Sequence, residues 1–304
     1  MISFIMMAKD VQNYINDAIV ELQKENKVDW ELIIVDDHSS DATFEVANDF
    51  AKIDGRVKVV KNRYNGKVLG TNYGYSLSKG EIIKCIDSDD VLLRDFFRHY
   101  DEMKKYDAHC HSIYITDERL QRLSTYNSNP LILSQSYEFA LSNLLSIPKC
   151  SWSFKRSLAE KIFPLPDSLP FEDVWISLLI KKNASSIRNI NQPLYLYRQH
   201  SNQTFGGIIN YSSDKVIFRA KRLLRLVDVL EIEPRATEGF EKDIFDNTRV
   251  YNTLMSKEKL FIWDVLKCQL RFVAKVKIIL IKKFPILAKY ITVLKWKLDA
   301  TNKN

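Results

Sequence analysis

Short, nearly unbroken apolar runs alternate with amphipathic stretches along the first hundred residues of this chain. Ile2–Met7 predicts a buried strand, and Val11–Glu25 a helix in which Tyr14, Ile15, Ala18, Ile19 and Leu22 recur at helical spacing. Glu31–Asp36 is a second apolar strand that ends in acid. Ser40 or Asp41 can cap a helix reaching Ile53, with Asp54-Gly55 as the turn behind it. Val57–Val60, Leu69–Ser78 and Glu81–Ile86 continue as strand, helix and strand, Gly80 being the expected helix stop and Leu92 the start of a further helix. Repeated β-α-β units with wholly apolar strands imply a parallel sheet covered on both faces. Ligands of such sheets bind beyond the carboxyl ends of the strands, where Asp36-Asp37 and Asp87–Asp90 both fall.

Beyond residue 105 the pattern is mixed. Ala108–Ile115 reads as a strand, followed by a polar stretch through Pro130. Helix signals return near Tyr137–Leu145 and Phe171–Lys182, and Pro193–Arg198 reads as a strand. Past Tyr211 the chain is mostly helical, with a break at Pro234. Lys267, Arg271, Lys275, Lys282 and Lys289 recur at intervals of four or seven and fall in one helical arc, apart from Phe272, Val276, Ile279, Leu280 and Ile286. Pro285 should kink or divide that helix. A basic face beside a broad apolar one suits a helix lying in a membrane interface, and Lys282-Lys283 keeps it from spanning. A bundle helix with a solvated basic face has the same pattern.

Charge and composition sharpen this division. Residues 257–304 hold twelve Lys/Arg and three Asp/Glu, a net of +9; the whole chain is +7, so residues 1–256 sum to −2. The basic character belongs to the tail, and no nucleic-acid-binding motif accompanies it. With 46% hydrophobic and 27% charged residues the 304-residue chain is an ordinary folded protein of one large or two modest domains. Cys85, Cys110, Cys150 and Cys268 lie far apart without a CxxC pair, which argues against a zinc site or a disulfide framework and fits a reducing compartment. The apolar start is too short for a signal peptide, and no uncharged run is long enough to span a bilayer.

The run Asp87-Ser88-Asp89-Asp90 carries the strongest chemical signal. Three neighbouring carboxylates repel unless a cation neutralises them. A hard divalent ion needs such oxygen ligands, completed by phosphate oxygens and water. Helix capping explains the tetrapeptide equally well when it is taken alone. Asp36 and Asp37 can accept hydrogen bonds from a nucleobase N–H or from ribose hydroxyls. Gly66-Lys67 lacks the remaining residues of a phosphate loop, and no GxGxxG follows the first strand.

In order and spacing, Val35-Asp36-Asp37-His38-Ser39-Ser40-Asp41, Asn65-Gly66-Lys67 through Gly70-Thr71-Asn72-Tyr73-Gly74, Lys79-Gly80-Glu81 and Asp87–Asp90 resemble the nucleotide-sugar-binding half of family 2 glycosyltransferases. The resemblance is strong over residues 1–100, weaker to about 205 and absent beyond. It implies a GT-A fold: an α/β, Rossmann-like and mostly parallel sheet, with a helical basic extension. Residues 1–105 would bind the nucleotide-sugar and 106–210 the acceptor, leaving 211–304 as the helical, membrane-associating region. The implied activity is inverting transfer of a hexosyl residue from a UDP-sugar to a glycan or lipid-linked hydroxyl, dependent on Mg or Mn. The implied place is surface polysaccharide synthesis at the cytoplasmic face of the cell membrane, without nucleic acid as a partner.

The resemblance also distributes roles. Asp36, Asp37, Lys67, Asn72, Asp87 and Arg198 go to the donor, with Asp37 on the base and Asp87 on the ribose side; Asp89, Asp90 and His200 go to the metal. Glu172-Asp173 matches the family's ED pair, with Asp173 as the base for the acceptor hydroxyl and Glu172 orienting it. Leu196-Tyr197-Arg198-Gln199-His200-Ser201 resembles the segment that closes the donor site, and Trp152 is either an acceptor-stacking or a buried tryptophan. His109-Cys110-His111 lacks a third ligand nearby and reads as structural. Two departures stand out: Met6–Asp10 replaces the usual proline and tyrosine-asparagine, and Thr71 stands where many members have arginine. The alternatives are a phosphatase of the haloacid dehalogenase type, with a strand-end DxD, and a non-catalytic membrane-surface or nucleic-acid-binding module.

Overall fold

Four parallel strands build the edge that carries the acids. In the computed structural model, which describes residues 1–128, 133–200, 212–240 and 242–291, they are β1 (Ile2–Ala8), β2 (Trp30–Asp36), β3 (Val57–Lys61) and β4 (Ile82–Asp87). They run in the order β3-β2-β1-β4, with Ala8 in register with Asp36 and Met7 with Asp87. Both acids therefore end at the same sheet edge on either side of β1, about 10 Å apart by strand spacing. α1 (Ile15–Gln23), α2 (Thr43–Ile53) and α3 (Lys67–Leu77) connect these strands. α1 begins later than its apolar spacing suggested, because Val11 and Tyr14 form a turn closed by the Tyr14 N–H to the Val11 carbonyl, 2.9 Å.

Gly80 does not stop α3. The helix ends at an extended Ser78, and Gly80 instead lies against β1, where an added Cβ would stand 2.5 Å from the Ser3 backbone nitrogen. Val91–Leu92 is likewise not a helix start but a short strand, β5, antiparallel to β9 (Ile187–Arg198). A 3₁₀ segment, Arg94–His99, follows it.

The sheet continues past β4 with β8 (Trp152–Lys155), β6 (Ala108–Thr116), β9 and β5. β8 is antiparallel to both its neighbours, β4 and β6, and β6 and β9 are parallel. The polar stretch after β6 contains β7 (Arg122–Tyr126), which pairs antiparallel with β6. α4 (Arg156–Ile162) and α5 (Glu172–Asn183) complete this unit. α5 is apolar nearly all round and buried, as a helix enclosed on all sides must be. Its Trp175 indole N–H donates to the Ile162 carbonyl at 2.9 Å, and its Ser177 hydroxyl accepts the Trp152 indole N–H at 3.2 Å. Trp152 is thus a core residue, not an exposed stacking platform.

Residues 1–137, 145–168 and 172–198 form one compact unit, so the two expected halves of the catalytic domain share one sheet. The second unit comprises 138–144, 169–171 and the chain from 199 onward. It contains α6 (Ser213–Ile232), α7 (Asp246–Ser256), α8 (Ile262–Lys267), α9 (Phe272–Lys283) and α10 (residues 285–291). Leu254, Met255, Leu260, Val265, Leu270 and Ile278 are part of its core. The expected single basic arc is broken, because bends at Cys268 and Gln269 separate α8 from α9 and Pro285 opens α10. Outward-facing apolar residues replace it: Ile262, Trp263 and Leu266 on α8, Phe272, Val273 and Val276 on α9, and Ile286 and Tyr290 on α10. No described helix is long and apolar enough to cross a membrane. The expected boundary at 210/211 and the tail beyond 291 lie outside the described residues.

Candidate active site

The end of β4 and the start of α5 bring charges of both signs into contact. Lys149, on a 3₁₀ turn (Lys149–Ser151) before β8, reaches Asp87 Oδ1 at 3.1 Å and Glu172 Oε2 at 3.0 Å. Its backbone N–H donates to Asp173 Oδ1 at 2.7 Å. Lys67, at the start of α3, reaches the same Asp87 oxygen at 3.1 Å but remains 54% exposed, so solvent weakens that pair. The Thr71 hydroxyl stands 3.1 Å from Glu172 Oε1. Five side chains from four segments thus form one ionic cluster, and Lys149, only 7% exposed, is its centre. Nothing in the local sequence around Lys149 announces this role. Thr71 was visible only as a departure from the family pattern.

The cluster sets the protonation of each acid. Burial pushes Asp87 up, but the Lys149 and Lys67 charges outweigh it and hold the carboxyl well below the usual range. Glu172, buried like Asp87, is held low by the same two lysines. For Asp173 burial wins over the hydrogen bond and charge supplied by Lys149, and its carboxyl sits above the ordinary value. No hydrogen bond reaches Asp173 Oδ2 among the described residues.

Asp90, an expected metal residue, lies deepest in the acidic run. It is 1% exposed, its Oδ1 accepts the Arg198 backbone N–H at 2.8 Å, and its Oδ2 has no hydrogen-bond partner among the described residues. Burial, then the Asp89 and Asp87 charges, push this carboxyl well above the ordinary range. Through its bond to the Arg198 backbone, Asp90 ties the acidic run to the end of β9. Asp89 remains partly exposed. A hard divalent ion fits this donor set with Asp89 as its protein carboxylate and diphosphate oxygens and water as the rest. Among the described residues no group of three or more His, Cys, Asp or Glu forms a metal cage. His200 falls in the second unit of the chain.

Two donor-site expectations also change. Arg198, 4% exposed, spends its guanidinium on Asp17 (2.8 Å) and on the backbone carbonyls of Asp89 (2.8 Å) and Glu118 (2.7 Å). It clamps the acidic run rather than reaching towards a diphosphate. Asn72 donates to the Leu165 carbonyl at 2.9 Å and accepts its N–H at 2.7 Å, bracing α3 against the loop after α4.

On the other side of β1, Asp37 Oδ1 accepts the Asn62 side chain at 2.7 Å and the Gly66 N–H at 3.0 Å. Gly66 has φ +94°, a conformation suited to glycine, which lets the loop meet Asp37 and still enter α3. Asp36, 2% exposed, has one oxygen near the Ser39 N–H (3.3 Å) and the other buried without a partner among the described residues. His109 and His111 gather no metal set; His111 instead faces the buried Lys84 ammonium at 2.9 Å.

Acids thus end two strands on either side of β1, and a second acid pair opens the buried α5. Residues 3–163, more than half of the chain, match the model of Glycosyl transferase family 2, and the chain belongs to that family. It is 27% identical to the putative glycosyltransferase EpsH of Bacillus subtilis over 212 residues, 66% of this chain and 61% of EpsH. With glycosyltransferase GlyG of Streptococcus pneumoniae it shares 26% over 220 residues, 66% of this chain and 71% of GlyG. A 94-residue stretch, 31% of this chain and 36% of the relative, is 32% identical to Escherichia coli WfgD, a UDP-Glc:alpha-D-GlcNAc-diphosphoundecaprenol beta-1,3-glucosyltransferase. The fold is that of S. aureus TarS 1-349, solved with UDP-GlcNAc, at TM-score 0.55 and 15% identity over 92% of this chain and 71% of that one. It is also that of the Pyrobaculum calidifontis mannosyltransferase PcManGT, solved with GDP-Man and Mn2+, at TM-score 0.55 and 16% identity over 98% and 80%.

Proposed function

We propose that this chain transfers a hexosyl residue from a UDP-sugar to a hydroxyl of a glycan or lipid-linked acceptor, with inversion, in surface polysaccharide synthesis. The observation that carries it is the contrast within the acid pair: Asp173 is the carboxyl raised by burial, with one oxygen fixed and the other without a hydrogen bond among the described residues. Such a group suits a general base. The acceptor oxygen attacks the anomeric carbon, its proton passes to Asp173, and the bond to UDP breaks with its electron pair left on the diphosphate. Asp36 and Asp37 take the nucleoside side, and Lys67 and Asp87 the ribose and phosphate side. Asp89 would hold a divalent ion, which would neutralise charge on the diphosphate.

UDP is favoured by the TarS complex with UDP-GlcNAc and by the glucosyl donor named for WfgD. A metal is favoured by the Mn2+ of PcManGT. WfgD's diphosphoundecaprenol acceptor favours a lipid-linked substrate, which the outward apolar residues of α8–α10 would meet at the cytoplasmic face of the membrane.

The test is UDP release from a panel of UDP-, GDP- and dTDP-sugars, with Mg, Mn or chelator. Turnover of a UDP-sugar that stops on chelation, and falls about 10²–10⁴-fold in Asp173→Asn, is expected. Undiminished turnover in Asp173→Asn, or a donor preference for GDP, would overturn the corresponding assignment.

A further inference from the structure

Glu172 and Asp173 are neighbours on one helix, yet the side chain of Lys149 touches only the first. Its ammonium lies 3.0 Å from Glu172 Oε2, whereas Asp173 receives the Lys149 backbone N–H. The same ammonium lies 3.1 Å from Asp87, so a single cation spans the donor acid of β4 and the first acid of α5. We propose that Lys149 is a positioning residue that sorts this acid pair, fixing Glu172 as a permanent anion and leaving Asp173 as the acid that exchanges a proton. The use of that proton in sugar transfer rests on the reading above; the sorting itself does not.

The surroundings support a division of labour rather than a shared proton. Asp87 on β4 and Lys67 on α3 face the pair with opposite charges, while Thr71 contributes only a hydroxyl. Asp90, Tyr195 and Tyr197 act on this cluster through Asp87, and three further groups, Cys85, Cys150 and Tyr126, act within it. Burial pushes all three up, the Cys85 thiol to about 12, and leaves them neutral. Apart from Asp89 and Asp90, the charge balance rests on two lysines and three acids. Lys67 is half exposed and placed where a donor would arrive, so Lys149 is the cation that holds Glu172 in every state of the site. In an unfolded chain an aspartate gives up its proton before a glutamate, at about 3.9 against about 4.3. The surroundings work against that order, lowering Glu172 and raising Asp173. Pairs of acids pushed apart in this way divide the roles of fixed anion and proton acceptor.

The experiment is a carboxyl titration of the full chain, labelled with ¹³C at Asp and Glu side-chain carboxyls, with Glu172→Gln and Asp173→Asn assigning the two signals. Glu172 is expected to titrate below Asp173 in the wild-type protein. Lys149→Gln, which keeps an N–H donor but removes the charge, should raise Glu172 by about one pH unit or more, and Lys149→Arg should preserve the order. In UDP release, Lys149→Gln should move the acid limb of the pH profile, which Asp173 sets, towards higher pH and by less than Glu172 moves. Glu172→Gln should keep that limb. This variant also decides the matter where Lys149→Gln does not fold. A wild-type Glu172 that titrates above Asp173, unchanged signals in Lys149→Gln, or loss of the acid limb in Glu172→Gln would each overturn the proposal. A sorted pair in a protein that releases no UDP would instead overturn the transferase reading and leave Lys149's role standing.

Discussion

Arg198 donates its backbone N–H to Asp90 Oδ1 at 2.8 Å, joining the end of β9 to the acidic run 108 residues earlier. The same residue's guanidinium holds the Asp89 carbonyl at 2.8 Å. The backbone of Asp89 and the side chain of Asp90 are therefore fixed from outside the run.

Arg198→Lys should disrupt the site nearly as much as Arg198→Ala. Three guanidinium nitrogens point to three separate acceptors, a geometry one ammonium cannot reproduce. Each charged hydrogen bond lost is worth about 1.5–3 kcal/mol where its partner is buried. Both variants should lose several degrees of Tm and most UDP-dependent thermal protection. Full protection in Arg198→Lys would show that the clamp does not depend on the fork.

Lys84 offers a readout in pH. It is wholly buried on β4, beside His111 and the carbonyls of Cys150 and Trp152, and burial holds its ammonium down at about 8 against 10.5 when unfolded. Between those values the unfolded chain binds one proton more, so this group adds stability as pH rises through the window, about 3 kcal/mol in all. The buried thiols of Cys85 and Cys110, pushed up to about 12, act in the opposite direction over an overlapping range. The difference between wild type and Lys84→Met isolates the lysine. Denaturant titrations from pH 7.5 to 10.5 should show the wild type gaining on the variant; a constant gap would contradict the shift.

Gly80→Ala should destabilise the nucleotide half. The new methyl would meet the Ser3 backbone nitrogen at 2.5 Å and the Ile2 carbonyl carbon at 2.9 Å, and neither can swing aside. A cost of about 1–3 kcal/mol is expected, seen as a lower denaturant midpoint at unchanged slope. An unaltered midpoint would mean that β1 and the loop before β4 can part freely.

The apolar residues facing outward from α8–α10 predict binding to anionic bilayers. Phe272, Val273 and Val276 fall within about 100° of arc on α9, opposite the buried Ile278. Phe272→Glu with Val273→Glu should weaken flotation with phosphatidylglycerol vesicles at least about tenfold, and salt should weaken it further. Equal binding to neutral vesicles, or no change in the double variant, would remove the membrane role.

The sequence made the buried parts of the fold plain and concealed those set by distant partners. β1–β4 were readable because parallel strands buried on both faces are continuous apolar runs. β5 was not, because Val91–Leu92 becomes a strand only by pairing with Leu196 and Tyr195 of β9. β7 was hidden by its polarity. The tail's charges suggested one basic arc, but bends at Cys268 and Gln269 give each short helix its own orientation. The site divided in the same way. Its acids could be found by motif, whereas the cation that organises them comes from a turn whose position depends on β8 and α5.

The four cysteines differ in accessibility. Cys85, Cys110 and Cys150 are buried, and their protons are held firmly by burial. Cys268 is partly exposed, at the bend between α8 and α9. A thiol-reactive fluorophore added to the native chain should therefore attach there selectively, giving an optical reporter of the helical tail without any engineered cysteine.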